Sequence, residues 1–155
     1  MESAYVFIYR LTLRKIQIYI IYSKNFKEAV KMEMKFYICE NCGNIVAKIK
    51  DSGVPVMCCG QKMTEIKAGT TDAAVEKHVP VVKVEGSMVY VTVGEVAHPM
   101  VQEHYIEWIL LSTNKGNQRK CLKPGDEPKA CFALCGDEKI EAVYAYCNLH
   151  SLWKN

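Results

Sequence analysis

The chain has no apolar run long enough to cross a membrane, no general excess of positive charge and only four histidines in 155 residues. Each scarcity narrows the possible functions. Residues 4–22 (AYVFIYRLTLRKIQIYIIY) are broken by Arg10, Arg14 and Lys15. No stretch therefore reaches the roughly 18 uninterrupted apolar residues of a spanning helix. Part of this segment alternates in strand fashion, as in Leu11–Arg14 and Ile16–Ile18. It also lacks the leading positive charges and small-residue cleavage site of a secretory signal. The formal net charge is +3, but residues 1–33 carry six Lys/Arg against three Asp/Glu, while residues 34–155 carry fourteen of each. A neutral main body offers no basic face for nucleic acid. These absences lead us to expect no membrane partner, no nucleic-acid partner and a cytoplasmic protein. Residues 1–33 read as an N-terminal extension. In one account it arises from a start site placed upstream of the true one at Met32 or Met34; in the other it is a surface that binds a membrane or a partner.

Cysteine, by contrast, is plentiful. Eight is an even number, so a disulfide framework has to be weighed. Four of the eight fall in metal-ligand spacing, and a reducing compartment favours thiolates held for a metal over disulfides. Cys39-Glu-Asn-Cys42-Gly43 reads as a short strand entering a turn, with Gly43 giving the backbone freedom after the second thiol. Fifteen residues later come Cys58, Cys59 and Gly60. Adjacent residues of a strand point to opposite faces, so Cys58 and Cys59 can share an ion only on a bent backbone, which Gly60 is placed to allow. Four thiolates suit one tetrahedral ion, and spacing alone does not separate zinc from iron.

The segments MKFYICENCGNIVAKI and VPVMCCGQKMTEI resemble the desulforedoxin-type domain at the front of desulfoferrodoxins. The adjacent cysteine pair makes this likeness far more specific than a lone C-x2-C. The resemblance spans residues 34 to about 66. It implies one iron held by Cys39, Cys42, Cys58 and Cys59, a centre that passes single electrons.

After a small-residue stretch (Lys67–Ala74) the pattern becomes strand-like. His78–Val84 and Met88–Val93 flank a Glu85-Gly86-Ser87 turn. His104–Thr113 is another strand run, and Ile140–Cys147 alternates Ile140, Ala142, Tyr144 and Tyr146 against Glu141, Val143, Ala145 and Cys147. Short strands with regular turns predict an all-β sandwich. All four histidines, His78, His98, His104 and His150, sit near strand ends or in loops, and Cys147 with His150 forms C-x2-H. Any one of them alone would read as an ordinary surface histidine. Together, four imidazoles and a thiolate exceed a tetrahedral zinc shell and suit an ion with a sixth position left open.

Glu76-Lys77-His78-Val79-Pro80, His98-Pro99-Met100 through His104-Tyr105-Ile106-Glu107-Trp108, and Cys147-Asn148-Leu149-His150 resemble the catalytic domain of superoxide reductases of the neelaredoxin type. With the front domain, the likeness covers nearly all of residues 34–155 and is to the two-iron superoxide reductases, or desulfoferrodoxins. It implies a front iron domain at 34–68 and an immunoglobulin-like catalytic β-sandwich at 69–155. His78, His98, His104 and His150 match the equatorial ligands of a second iron, and Cys147 matches the axial thiolate. Glu76 matches the carboxylate that can fill the sixth position, and Lys77 matches the cation beside it. Without this match, Glu76 and Lys77 would read as an ion-paired strand end. The implied enzyme is an oxidoreductase that reduces superoxide to hydrogen peroxide without releasing O2, in detoxification under oxidative stress. It would draw electrons from a rubredoxin-like donor and work as a homodimer. The alternatives are a two-iron electron-transfer protein without superoxide chemistry and a zinc-stapled binding protein. Cys121, Cys131 and Cys135 match neither site; they are expected to be small buried residues, with a redox-active Cys131–Cys135 pair as the sharper reading.

Overall fold

The computed structural model describes residues 33–155, so both accounts of the N-terminal extension lie outside the described residues. The described chain is almost entirely β. Four short antiparallel strands begin it: β1 (Lys35–Ile38), β2 (Ile45–Lys48), β3 (Met57–Cys58) and β4 (Gln61–Lys62), followed by β5 (Thr64–Ile66). β1 lies between β2 and β5, and β3 pairs only with β4. A one-turn helix, α1 (Val75–His78), precedes β6 (Pro80–Glu85), β7 (Met88–Val93), β8 (Ile106–Thr113), β9 (Asn117–Cys121), β10 (Lys129–Ala133), β11 (Ile140–Cys147) and β12 (Ser151–Lys154). The last seven strands form a three-stranded sheet, β10-β7-β6, and a four-stranded sheet, β12-β11-β8-β9. This is the seven-strand sandwich of an immunoglobulin-like fold.

Alternation explains the core. Val89, Val91 and Val93 of β7 and Phe132 of β10 point inward against Ile109 and Leu111 of β8 and Val143 and Ala145 of β11. The opposite face of the four-stranded sheet is buried too. Trp108, Leu110, Ala142, Tyr144, Tyr146 and Leu152 form a second cluster with Phe36 of β1. Phe36 stacks on Trp108 with ring centroids 5.6 Å apart and lies 5.1 Å from Tyr144. Its neighbour Tyr37 faces the other way, into a small cluster with Cys39 and Met63. One residue of β1 therefore serves each core, as the two-residue period of a strand requires.

Ile140–Cys147 forms β11, and Ala142 to Cys147 are all buried because β11 is central in its sheet and covered on both sides. One expectation is corrected. Cys121, Cys131 and Cys135 were expected to be buried and are exposed. Cys131 lies opposite Tyr90 on the outward row of the three-stranded sheet, and Cys135 lies beyond the end of β10.

Candidate metal centres

The four-cysteine group is made by two tight turns. Cys39 N–H donates to Asn44 O at 2.9 Å and Gly43 N–H to Cys39 O at 2.8 Å, folding the chain around the first thiol pair. Gly43 has φ +73°, a left-handed value that glycine adopts without strain. The second pair sits on the β3–β4 hairpin, whose two-residue loop is Cys59-Gly60. Both have positive φ, 49° and 75°, the signature of a type I′ hairpin turn. That turn is the bent backbone that two adjacent cysteines need. The four sulfurs lie within 4.8 Å of one another, with Cys42 to Cys58 at 3.6 Å and Cys58 to Cys59 at 3.9 Å. A tetrahedron with bonds of about 2.3 Å to sulfur has edges of about 3.8 Å, so the spacing fits one ion.

The charges agree. The Cys42 backbone N–H draws the Cys39 thiol down to about 7. For Cys42, the Asn44 N–H acts in the same direction, but the neighbouring thiols of Cys39, Cys58 and Cys59 together push it up to about 12. Four thiols this close do not all ionise without a cation among them.

The second group gathers side chains from four places in the sequence. His78 ends α1 instead of opening a strand, which corrects the expected strand start; β6 begins at Pro80. Its ring stacks on Trp153, with centroids 4.7 Å apart. His98 lies in the loop after β7, His104 just before β8, and Cys147 and His150 at the β11–β12 hairpin. Ser151, with φ +61°, turns the chain back into β12. The donor atoms of all five residues lie within 4.8 Å of one another. His78 Nε2 is 3.0 Å from His150 Nδ1, which is 3.1 Å from His104 Nε2 and 3.6 Å from Cys147 Sγ.

Two carbonyls fix the tautomers. His78 Nδ1–H donates to Ala74 O at 2.7 Å and His98 Nδ1–H to Pro99 O at 2.6 Å. A carbonyl can only accept, so the lone pair of each ring is left on Nε2 and aimed at the other donors. Among the described residues His98 Nε2 is the buried side-chain polar atom without a hydrogen-bond partner. An orphaned buried nitrogen is costly unless something binds it. Burial lowers His78, His98 and His104, taking His98 down to about 4 against the opposing Pro99 carbonyl, which favours the neutral rings that metal ligation needs. Burial raises the Cys147 thiol, which the N–H groups of His150 and Leu149 oppose. A metal ion fits this pocket: it would satisfy His98 and take the place of the Cys147 proton.

Glu76 and Lys77 are both exposed on α1, one turn of backbone from His78. The Lys77 ammonium adds to the burial that lowers His78 and His104, so its charge is felt within the group. Val96 N–H donates to Glu76 O, and Gly94 N–H to Val79 O, which pins α1 to the loop after β7. A Cβ on Gly94 would lie 2.3 Å from Val96 O, 2.6 Å from Lys77 O and 2.8 Å from Glu76 O. All nine donors expected from the sequence fall in these two groups, whereas the supports around them leave no mark in the sequence. Carbonyl acceptors can come from any residue type, and nothing in the pattern marks Gly94 or Trp153.

A β-sandwich that carries a five-donor group, together with a four-thiol group, defines a protein with two non-haem metal centres. Residues 70–155 match the desulfoferrodoxin family. The chain is 49% identical to a desulfoferrodoxin homolog of Archaeoglobus fulgidus over 79% of this chain and 96% of that protein. It is 45% identical to desulfoferrodoxin of Nitratidesulfovibrio vulgaris over 79% and 95%. Among solved structures, superoxide reductase from Treponema pallidum superposes with a TM-score of 0.68 at 41% identity, covering 79% of this chain and 98% of that one. This chain belongs to the desulfoferrodoxin family, and its two donor groups match that family's two iron sites.

Proposed function

We propose that this protein is a superoxide reductase, adding one electron and two protons to superoxide and releasing hydrogen peroxide without forming O2. The observation that carries the reading is the convergence of four imidazole nitrogens and one thiol around a buried, partnerless His98 Nε2. These five donors would hold a metal ion that can also accept a small anion. The Treponema pallidum relative, similar over nearly its whole length, is itself a superoxide reductase.

In this reading His78, His98, His104, His150 and Cys147 would hold the catalytic iron. Cys39, Cys42, Cys58 and Cys59 hold the other iron. Residues 34–68 are the electron-handling region and 69–155 the catalytic region. The ferrous ion, once bound, supplies the electron that superoxide accepts. Lys77, exposed beside the pocket, attracts the anion and opposes the negative charge that grows on it. Its ammonium also orders the water from which protons come. Glu76, exposed on the same turn, would supply the carboxylate that takes the anion's place. Ala74 O and Pro99 O keep His78 and His98 turned inward throughout the cycle.

The donor in this reading is a rubredoxin-like protein, the four-cysteine centre is the relay, and the working form is a cytoplasmic homodimer. Among the described residues no helix is long and apolar enough to cross a membrane. The test is rapid mixing of reduced protein with superoxide. Oxidation of the histidine centre with one peroxide per superoxide and no O2 is expected. A histidine centre that superoxide does not oxidise would leave only the electron-carrier reading. The Cys58→Ser variant should keep the superoxide step at its wild-type rate, since the relay acts after it.

A further inference from the structure

Two of the segments that build the histidine centre are tied together by one side chain. Asn148 Oδ1 accepts a hydrogen bond from Tyr105 N–H at 2.9 Å, and Asn148 Nδ2–H donates to Glu103 O at 2.9 Å. These backbone groups lie on either side of His104. A third bond joins Asn148 N–H to Tyr105 O at 3.2 Å. Asn148 itself stands between Cys147 and His150.

The His104 segment needs such a tie. It precedes β8, and its own backbone support is a single bridge between Val101 and His104. The side chain of Asn148 extends the pairing of β8 and β11 past their last ladder pair, Cys147 with Ile106. The chemistry of the residue is specific. A primary amide offers one acceptor and two donors at one carbon, whereas a carboxylate only accepts and a hydroxyl is shorter. The task here needs one of each, aimed at two backbone groups two residues apart.

We propose that Asn148 is a positioning residue that fixes His104 relative to Cys147 and His150, and so sets the metal affinity and ligand field of the histidine centre. The proposal rests on the reading of these residues as metal ligands. Ligand sets must be held within about 0.5 Å of their working geometry by the residues around them. Losing such outer partners costs about tenfold to a hundredfold in metal affinity.

The experiment compares the full-length wild type with Asn148→Ala and Asn148→Asp. Iron affinity of the histidine centre is measured by chelator competition, together with its visible absorption and the unfolding midpoint with and without iron. Absorption of the four-cysteine centre reports whether each variant has folded. Asn148→Ala should bind iron about tenfold to a hundredfold more weakly, shift the absorption and shrink the iron-induced rise in midpoint. Asn148→Asp keeps the acceptor for Tyr105 N–H and loses the donor to Glu103 O, so it should fall between. An affinity within about twofold of wild type, well short of the expected loss, would overturn the proposal. So would a midpoint lowered equally with and without iron, which marks a purely structural residue. If Asn148→Ala does not fold, Asn148→Asp decides by the same criteria. A wild type that binds no iron among the histidines would instead overturn the underlying reading.

Discussion

The two donor groups are built in opposite ways. The four thiols come from two short turns within 21 residues of chain, and Cys42 and Cys59 are exposed. The histidine group draws on residues from 78 to 150, and His78, His98 and Cys147 are buried. The first group is shaped by local backbone: a glycine turn and a type I′ hairpin. The second is shaped by the packing of strand ends, with Trp153, Ala74 O and Pro99 O orienting the rings. A local site depends on turn chemistry and charge, whereas a non-local site depends on the core that holds its parts.

The largest effect should come from removing a donor at each site in turn. Cys147→Ser or His98→Ala should weaken metal binding among the histidines by more than about a hundredfold, beyond the loss typical of outer partners, and spare the four-cysteine metal. Cys42→Ser should do the reverse. Metal content per chain for each variant checks this, and loss of both metals from either variant would break the comparison.

The shared aromatic cluster comes next. Phe36→Ala should cost about 3–5 kcal/mol, because Phe36 is buried against Trp108 and Tyr144. Denaturant unfolding followed at both metal absorptions would show whether the two centres are lost in one transition or separate into two.

Gly94→Ala should cost at least about 1–3 kcal/mol, from backbone strain at φ +83° and from the approach of its Cβ to three backbone carbonyls. It should slow the superoxide step more than it changes the four-cysteine absorption, since two of those carbonyls belong to Glu76 and Lys77. Stopped-flow kinetics beside thermal unfolding would separate the two effects.

The smallest effect concerns Asp51, held well below the usual carboxylate range by Lys35, Lys48 and the Gly53 N–H. A carboxylate with a depressed folded pKa stabilises above its unfolded pKa, about 3.9, and that stability fades as pH falls through the folded value. Asp51→Asn should therefore lower the melting temperature slightly at pH 7, with the difference closing in strong acid. An equal difference at all pH values would assign the effect to geometry instead of charge. Asp51 and Lys35 are exposed to solvent, which keeps the effect small.

The ligand sets were legible in sequence because metal chemistry limits them to a few residue types at short spacings. Cys39 with Cys42, and Cys147 with His150, are such pairs. The β6–β7 hairpin and the bounds of β11 were legible from turn residues and β-rich runs. The burial of Cys131 was misjudged because an edge-sheet residue can face solvent in an otherwise apolar run. The two-sided burial of β11 was hidden because no pattern in Ile140–Cys147 announces what covers its second face. Asn148 stood inside a recognised motif, yet its role needed the register that brings it beside His104.

By itself the sequence determined which atoms could bind metal, because thiolates and imidazoles keep their chemistry wherever they lie. It also determined the turns, since φ and residue type are coupled within a few bonds. Only the tertiary structure decided which nitrogen of each ring faces inward, which carbonyls hold it there, and that Phe36 joins the small sheet to the sandwich. Those facts depend on packing between residues tens of positions apart, and no local pattern encodes them.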